Sequence, residues 1–471
     1  MKQLIIGIDG GDESILSRMK MPFLNGLLQE NHTEKFTEDL LSRGWVEILS
    51  GKYARDTKAF YMVPQCNGTP ELKFKYSLTD LLSNEEVTPI WRVPPTGSRV
   101  AMMNVPTTFP AQEVDGFFVS GAGGGVNKVD GIPPELCYPQ SIVPLLEQSD
   151  YKIDIRFGTA GITEIDGLFD QLCSMLEKRA EVFQQLFAEN PVDFAFVCFR
   201  APTVVQYLAM SEMCNYFAQQ EGKKGFVHEA TEKWKRGFER LYLTLDTCIE
   251  KTLQCTSPEH WILTSDHGAV PYRYRLNIHR FLQDHGFQSY KTNWAKSCRN
   301  LAAGVVKGRP IHKVRESVLV TAKAFGNWYF TGIMVNDERR FGGPIRESEV
   351  AGLTREICST FNSTPEAKKY EMEARPYRSL YEGSKYCDRL PDVKIHCSDE
   401  IFFSPFPGDF IRENPGYGPL PSIKGVKGGM HSGQKGRHPL FCCDKKTAAM
   451  IREDDALDLT LVHKLTERIF S

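Results

Sequence analysis

Residues 3–12 read QLIIGIDGGD, and the fold turns on them. Leu4, Ile5, Ile6, Gly7 and Ile8 form an unbroken apolar run that stops at Asp9. A strand with one wet face alternates apolar and polar residues. A short run without alternation suits a strand covered on both faces, as in a parallel sheet. Working outward, MPFLNGLLQE (21–30) has helical spacing, and RVAMMNVP (99–106) and VDGFFVSG (114–121) read as further buried strands. FDQLCSMLEKRAEVFQQLFAEN (169–190) is a long amphipathic helix that runs into Pro191, with the strand DFAFVCF (193–199) after it. KWKRGFERLYLTLDTCIEKTL (233–253) is a helix and HWILTSD (260–266) a strand. Strands alternating with helices predict an α/β fold: a doubly wound, mostly parallel sheet flanked by helices. Such sheets place their chemistry at the carboxyl ends of strands. Two of these strands end in acids, Asp9 and Asp266.

The 471 residues suffice for a large core, and 41% hydrophobic with 25% charged residues excludes a disordered or fibrous chain. A net charge of −2 argues against the broad basic footprint of a protein that binds nucleic acid polymers. No stretch approaches the ~20 apolar residues of a membrane span. The opening apolar run is short for a secretory signal, and the thirteen cysteines follow no regular spacing. Reduced thiols and a cytoplasmic location are therefore expected. The chain is expected to form a single domain, 1–471, with 286–330 as a small inserted lid, because that Lys- and Arg-rich stretch breaks the strand–helix rhythm. Residues 405–439, rich in Gly and Pro, read as a loop too long to be idle.

Asp9 and the pair Asp266–His267 lie over 250 residues apart in sequence, yet all follow strands. Together they offer an O, O, N ligand set that Zn²⁺ or Mn²⁺ accepts. On periodicity alone, a metal site and a pair of ordinary turns or helix caps are equally good readings. His431, flanked by glycines in GGMHSGQKG, is sterically free to approach a metal, though on spacing alone a solvated surface His is the better reading. Lys424, Lys427, Lys435 and Arg437 surround it and suit either a phosphate or sulfate site or a solvated basic loop. GAGGGVN (121–127) lacks the spacing of the known phosphate loops and reads as a turn.

Taken together, several segments resemble the type I phosphodiesterase/nucleotide pyrophosphatase branch of the alkaline phosphatase superfamily. IIGIDGGD…MPFLNGLLQE is similar to that family's strand, metal-binding Asp and following helix. GWVEILSGK (44–52), GSRVAMMNVPTTFPAQEVDGFFVSG (97–121), PELCYP, LTSDHGAVP and GGMHSGQKG resemble its later motifs in family order. The resemblance implies an alkaline-phosphatase-like fold, hydrolysis of phosphoric ester bonds, and two metals. One metal is held, beside the nucleophile, by the positions of Asp9, Asp266 and His267. The other uses an Asp and a His of a "TDRVQH" motif plus the late His. Here that motif reads APTVVQYLA, which puts Thr203 and Tyr207 at the two ligand positions and leaves His431. The second metal position is therefore expected to be empty, with the Tyr207 hydroxyl reaching His431 or a substrate oxygen. Counting back from Trp45 puts Leu41 at the nucleophile, and a one-residue deletion would make it Ser42. Ser42 would equally serve as a helix N-cap.

The first reading is a phosphoesterase or phosphodiesterase with one divalent metal, Zn or Mn. Its substrate would be a small phosphorylated or nucleotide-linked molecule, with Lys435 and Arg437 steadying the phosphate. A repurposed group-transfer enzyme and a non-catalytic binding protein on the same fold are the alternatives.

Overall fold

The computed structural model describes residues 1–73, 76–121, 132–155, 161–289, 322–327, 332–404, 408–426 and 430–471. These form two compact units, one of residues 1–53, 76–271 and 415–471, the other of 54–75 and 272–414. The expected lid at 286–330 and the turn at 121–127 fall mostly outside the described residues.

The first unit is built on an eight-stranded sheet. Its strands are β1 (Gln3–Ile8), β2 (His32–Thr33), β3 (Val100–Met103), β4 (Gly116–Val119), β5 (Cys137–Tyr138), β6 (Phe194–Phe199), β7 (His260–Thr264) and β10 (Phe441–Cys443). A separate hairpin-like pair joins β8 (Gly268–Pro271) to β9 (Gly433–Gly436). The sheet order is β2–β10–β7–β1–β6–β3–β4–β5. The five central strands run parallel, and antiparallel strands close both sides. All six residues of β1 and of β6 are buried, as their unbroken apolar runs require.

Helices cover the sheet: α1 (Pro22–Glu30), α2 (Gly44–Ser50), α3 (Ile165–Glu189), α4 (Ala201–Gln220), α5 (Thr231–Thr256) and α6 (Thr460–Phe470). In α3 the buried stripe includes Leu168, Leu172, Met175, Leu176, Arg179 and Phe183, the spacing of one helical face. Its end at Glu189, two residues before Pro191, matches the sequence expectation. The described residues contain no helix long and apolar enough to cross a membrane.

The second unit has its own four-stranded sheet, ordered Ala324–Asn327, Gly332–Val335, Val393–His396, Glu373–Pro376, with the helix Glu347–Ser363. Its core gathers Phe281, Val335, Ile357, Phe361 and Ile395. Residues 405–439 are not all loop, as expected from composition. Ile411–Glu413 and Gly433–Gly436 are strands whose partners lie far away in sequence.

Candidate active site

Register brings the site together. Gly7 of β1 lies opposite Thr264 of β7, so Asp9 and Asp266, each two residues on, leave the sheet side by side. Ile8 lies opposite Phe199 of β6, which places Arg200 level with Asp9. One ligand atom from each of Asp9, Asp266 and His267 falls within 4.8 Å of the others, and all three residues are buried. Among the described residues this is the one such cluster of three acidic, His or Cys side chains.

Two cations stand against the two carboxylates. Arg200 Nε is 3.4 Å from Asp9 Oδ2, and the same guanidinium also pairs with Asp154. Lys435 Nζ lies 3.4 Å from Asp266 Oδ2, brought there by the pairing of β9 with β8. Trp45 Nε1 donates to Asp9 Oδ2 at 3.0 Å. Burial works against the charge on Asp9, but Arg200 leads the cations that outweigh it, so its carboxyl stays below the ordinary range. Asp266 goes the other way, to about 7, because burial and the Asp9 charge exceed what Lys435 returns.

His267 is held in one tautomer. Its Nδ1 lies 2.6 Å from the Gly268 carbonyl, which can only accept, so Nδ1 carries the hydrogen. Burial and then Lys435 push the ring down to about 3, so it is neutral. The lone pair on Nε2 faces the Tyr207 hydroxyl at 3.1 Å, with the two rings stacked at 5.9 Å. Tyr207 thus meets His267 through its hydroxyl, where the sequence pointed to His431 or a substrate. The backbone N–H of His431 donates to the Tyr207 carbonyl, and its ring flanks Gly416.

The donor set fits one divalent ion. Asp266 Oδ1 is buried with no hydrogen-bond partner, an acceptor that a cation would satisfy. Thr203 Oγ1 and Gln206 Oε1 are also buried without partners, and both residues crowd Gly10 next to Asp9.

Ser42 is buried just before α2. It does not cap that helix, because Arg43 occupies the N-cap position. Its hydroxyl instead hydrogen-bonds the side chain of Glu47. Leu41 is fully buried. Arg437 lies between β9 and β10, where its carbonyl accepts from Glu38 N at 2.7 Å. Lys424 sits in an exposed turn, and Lys427 is outside the described residues.

Arg200, Asp154, Glu38 and Glu47 escaped the sequence reading. Arg200 had a signal, since it follows an apolar strand just as Asp9 does.

No family model matches the chain, and no curated protein matches it. Solved structures do. A phosphonoacetate hydrolase from Sinorhizobium meliloti 1021, bound to phosphonoformate, is similar over 100% of this chain and 96% of its own, with a TM-score of 0.57 and 10% identity. An inactive murine ectonucleotide pyrophosphatase/phosphodiesterase 5 in complex with AMP is similar over 100% and 95%, at TM-score 0.48 and 12% identity. The alkaline phosphatase PafA is similar over 93% and 90%, at TM-score 0.45 and 11% identity. The first of these likenesses carries the fold, which is alkaline-phosphatase-like.

Proposed function

We propose that this chain is a metal-dependent phosphoesterase acting on a small phosphorylated molecule. One divalent ion, zinc or manganese, would be held by Asp9, Asp266 and His267. The observation that carries this reading is the convergence of those three buried ligands at neighbouring strand ends, with Asp266 Oδ1 left unpartnered. The likeness of fold to a phosphonoacetate hydrolase supports it. An ion bound there would polarise a phosphoryl oxygen. Arg200 and Lys435 bring positive charge to the same place and suit a phosphate's remaining oxygens. Ser42 is the hydroxyl proposed to attack. Cysteines without regular spacing fit a reducing, cytoplasmic setting.

Metal analysis of the purified protein, with phosphate release from a panel of phosphomonoesters and phosphodiesters, tests the proposal. About one ion per chain is expected, and Asp266→Asn should lose both ion and turnover. A metal-free chain that binds phosphorylated ligands without converting them would instead be the binding protein. Transfer of the phosphoryl group to an acceptor other than water would make it the group-transfer enzyme.

A further inference from the structure

The segments that carry Arg200 and Asp154 converge on a second guanidinium. Arg179 lies on the buried face of α3 and is 0% exposed. It forms no ion pair among the described residues. Its fork is spent on backbone carbonyls instead. Nη1 donates to Cys198 O at 3.0 Å, and Nη2 donates to Ile153 O at 2.8 Å and to Lys152 O at 3.4 Å. Arg200 is two residues beyond Cys198, and Asp154 follows Ile153 directly. Sheet geometry leaves the first of these carbonyls open to Arg179. Carbonyls alternate sides along a strand, and the Phe199 carbonyl accepts from Asp9 N at 2.9 Å on the β1 side. The Cys198 carbonyl therefore points to the β3 side, where the pairing with β6 has ended at Met103 and Val197. A buried carbonyl without a ladder partner needs another donor. The Ile153 carbonyl also accepts from Asn104 Nδ2 at 2.8 Å, so the segment before Asp154 is held from two directions. Burying a guanidinium without an acid is costly, and a neutral amide donor would meet one of these carbonyls without that penalty. What arginine adds is reach: its planar fork bonds two separate segments at once and fixes the distance between them.

We propose that Arg179 is a positioning residue for Arg200. By tying the end of β6 to the segment before Asp154, it holds Arg200 in the orientation that serves both Asp9 and a substrate's phosphoryl group. This rests on the phosphoesterase reading and deepens it, since Arg200 is one of the two cations assigned there to the phosphate. With Arg179 in place, Arg200 keeps Nε 3.4 Å from Asp9 Oδ2 and pairs with Asp154 through Nη1. Without it, the buried carbonyls on both sides lose a donor, the two segments are no longer tied, and the Arg200 guanidinium leaves its place.

Two measurements on the full chain test this. The first needs no ligand. Arginine-selective ¹⁵N labelling gives each Nε–H a signal, and the one that vanishes in Arg200→Met belongs to Arg200. In Arg179→Met that signal should shift or broaden. Arg179→Lys should restore it in part, because an ammonium reaches one of the two segments. The second measurement titrates inorganic phosphate into the Zn²⁺-loaded protein. Arg200→Met and Arg179→Met should each weaken phosphate binding about tenfold. The double variant should bind no more weakly than Arg200→Met alone, the non-additivity of two residues that act as one unit. A merely structural Arg179 would leave the Arg200 signal in place, or would multiply the two losses in the double variant, and either result overturns the proposal. If Arg179→Met does not fold, Arg179→Lys carries both readouts with smaller changes. If the unaltered, Zn²⁺-loaded chain binds no phosphate, the phosphoesterase reading fails, and the Arg200 signal still decides the positioning role.

Discussion

Two pairs of buried acids lie in the same unit, and of their four carboxyls only Asp9 is held below the ordinary range. Asp9 and Asp266 each face a cation, Arg200 and Lys435. Glu38 and Glu47 face each other, with Asp39 and Asp458 nearby. Burial raises the cost of charge in both places. Where a guanidinium stands by, as at Asp9, the carboxylate stays ionised. Where the neighbours are acidic, the carboxyls keep their protons well above the ordinary range. Of the four, Asp9 alone is held below the ordinary range, while Asp266 rises to about 7 because burial and the Asp9 charge exceed what Lys435 returns. Both arise from the same residue chemistry, and the partners decide the outcome.

The largest effect should come from removing the titrating carboxyl of Glu47 from the second pair. Glu47 ionises near 4.5 in an unfolded chain and near 8 when folded. Between those values the folded state holds a proton that the unfolded state has released. Folding stability from this group is therefore complete below pH 4.5 and falls as pH rises to about 8. The slope is about 1.4 kcal/mol per pH unit, for a total on the order of 4–5 kcal/mol. Glu47→Gln, a neutral isostere, should erase that slope, so the variant becomes the more stable protein at pH 8. Urea unfolding from pH 4 to 8.5 measures it. A variant whose stability tracks the unaltered protein at every pH would show that Glu47 is already ionised, and the contrast between the pairs would disappear.

A smaller loss should follow from making the first pair resemble the second. Arg200→Met would remove the guanidinium that pairs with both Asp9 and Asp154. Breaking a buried ion pair on one side typically costs about 3–5 kcal/mol. Arg200→Lys should recover part of that, since an ammonium restores charge without the two-sided fork. The readout is the denaturation midpoint at neutral pH. A loss under about 1 kcal/mol would mean that Arg200 adds little to the charge balance of the site, and Asp9 would need another source of compensation.

How much of this was legible in the sequence follows from which signals are local. Unbroken apolar runs announced β1, β6 and β7, because a strand buried on both faces has no polar face to show. Asp9 and Asp266 were legible as acids where such runs end. Arg200 ends one too, but its side chain is no metal ligand, and a search for ligand types passes over it. Lys435 is drawn to Asp266 by the pairing of Gly433–Gly436 with Gly268–Pro271, which joins segments over 160 residues apart. No local period records that pairing, so the segment read as loop. Glu47 was hidden for a different reason. Every residue of its short helix is buried, so no polar face exists to make one glutamate stand out.

Tyr207 offers the smallest and most specific change. The family resemblance set it at a ligand position, and the structure gives it a contact with His267, one of the three proposed ligands. Its hydroxyl lies 3.1 Å from His267 Nε2. That nitrogen must be the acceptor, because Nδ1 spends its hydrogen on the Gly268 carbonyl at 2.6 Å. An ion held by Asp9, Asp266 and His267 needs the same lone pair, so tyrosine and metal compete for one atom. Tyr207→Phe keeps the stacked ring and removes the competitor. The hydrogen bond given up on metal binding is worth about 0.5–1.5 kcal/mol, so the variant should bind Zn²⁺ roughly two- to tenfold more tightly. Competition against a chromophoric chelator resolves a change of that size. Weaker binding in the variant would make the hydroxyl a contributor to the site, either as a ligand or as the group that orients the ring. Unchanged affinity would mean that His267 Nε2 takes no part in holding the ion, and the three-ligand reading of this cluster would fail with it.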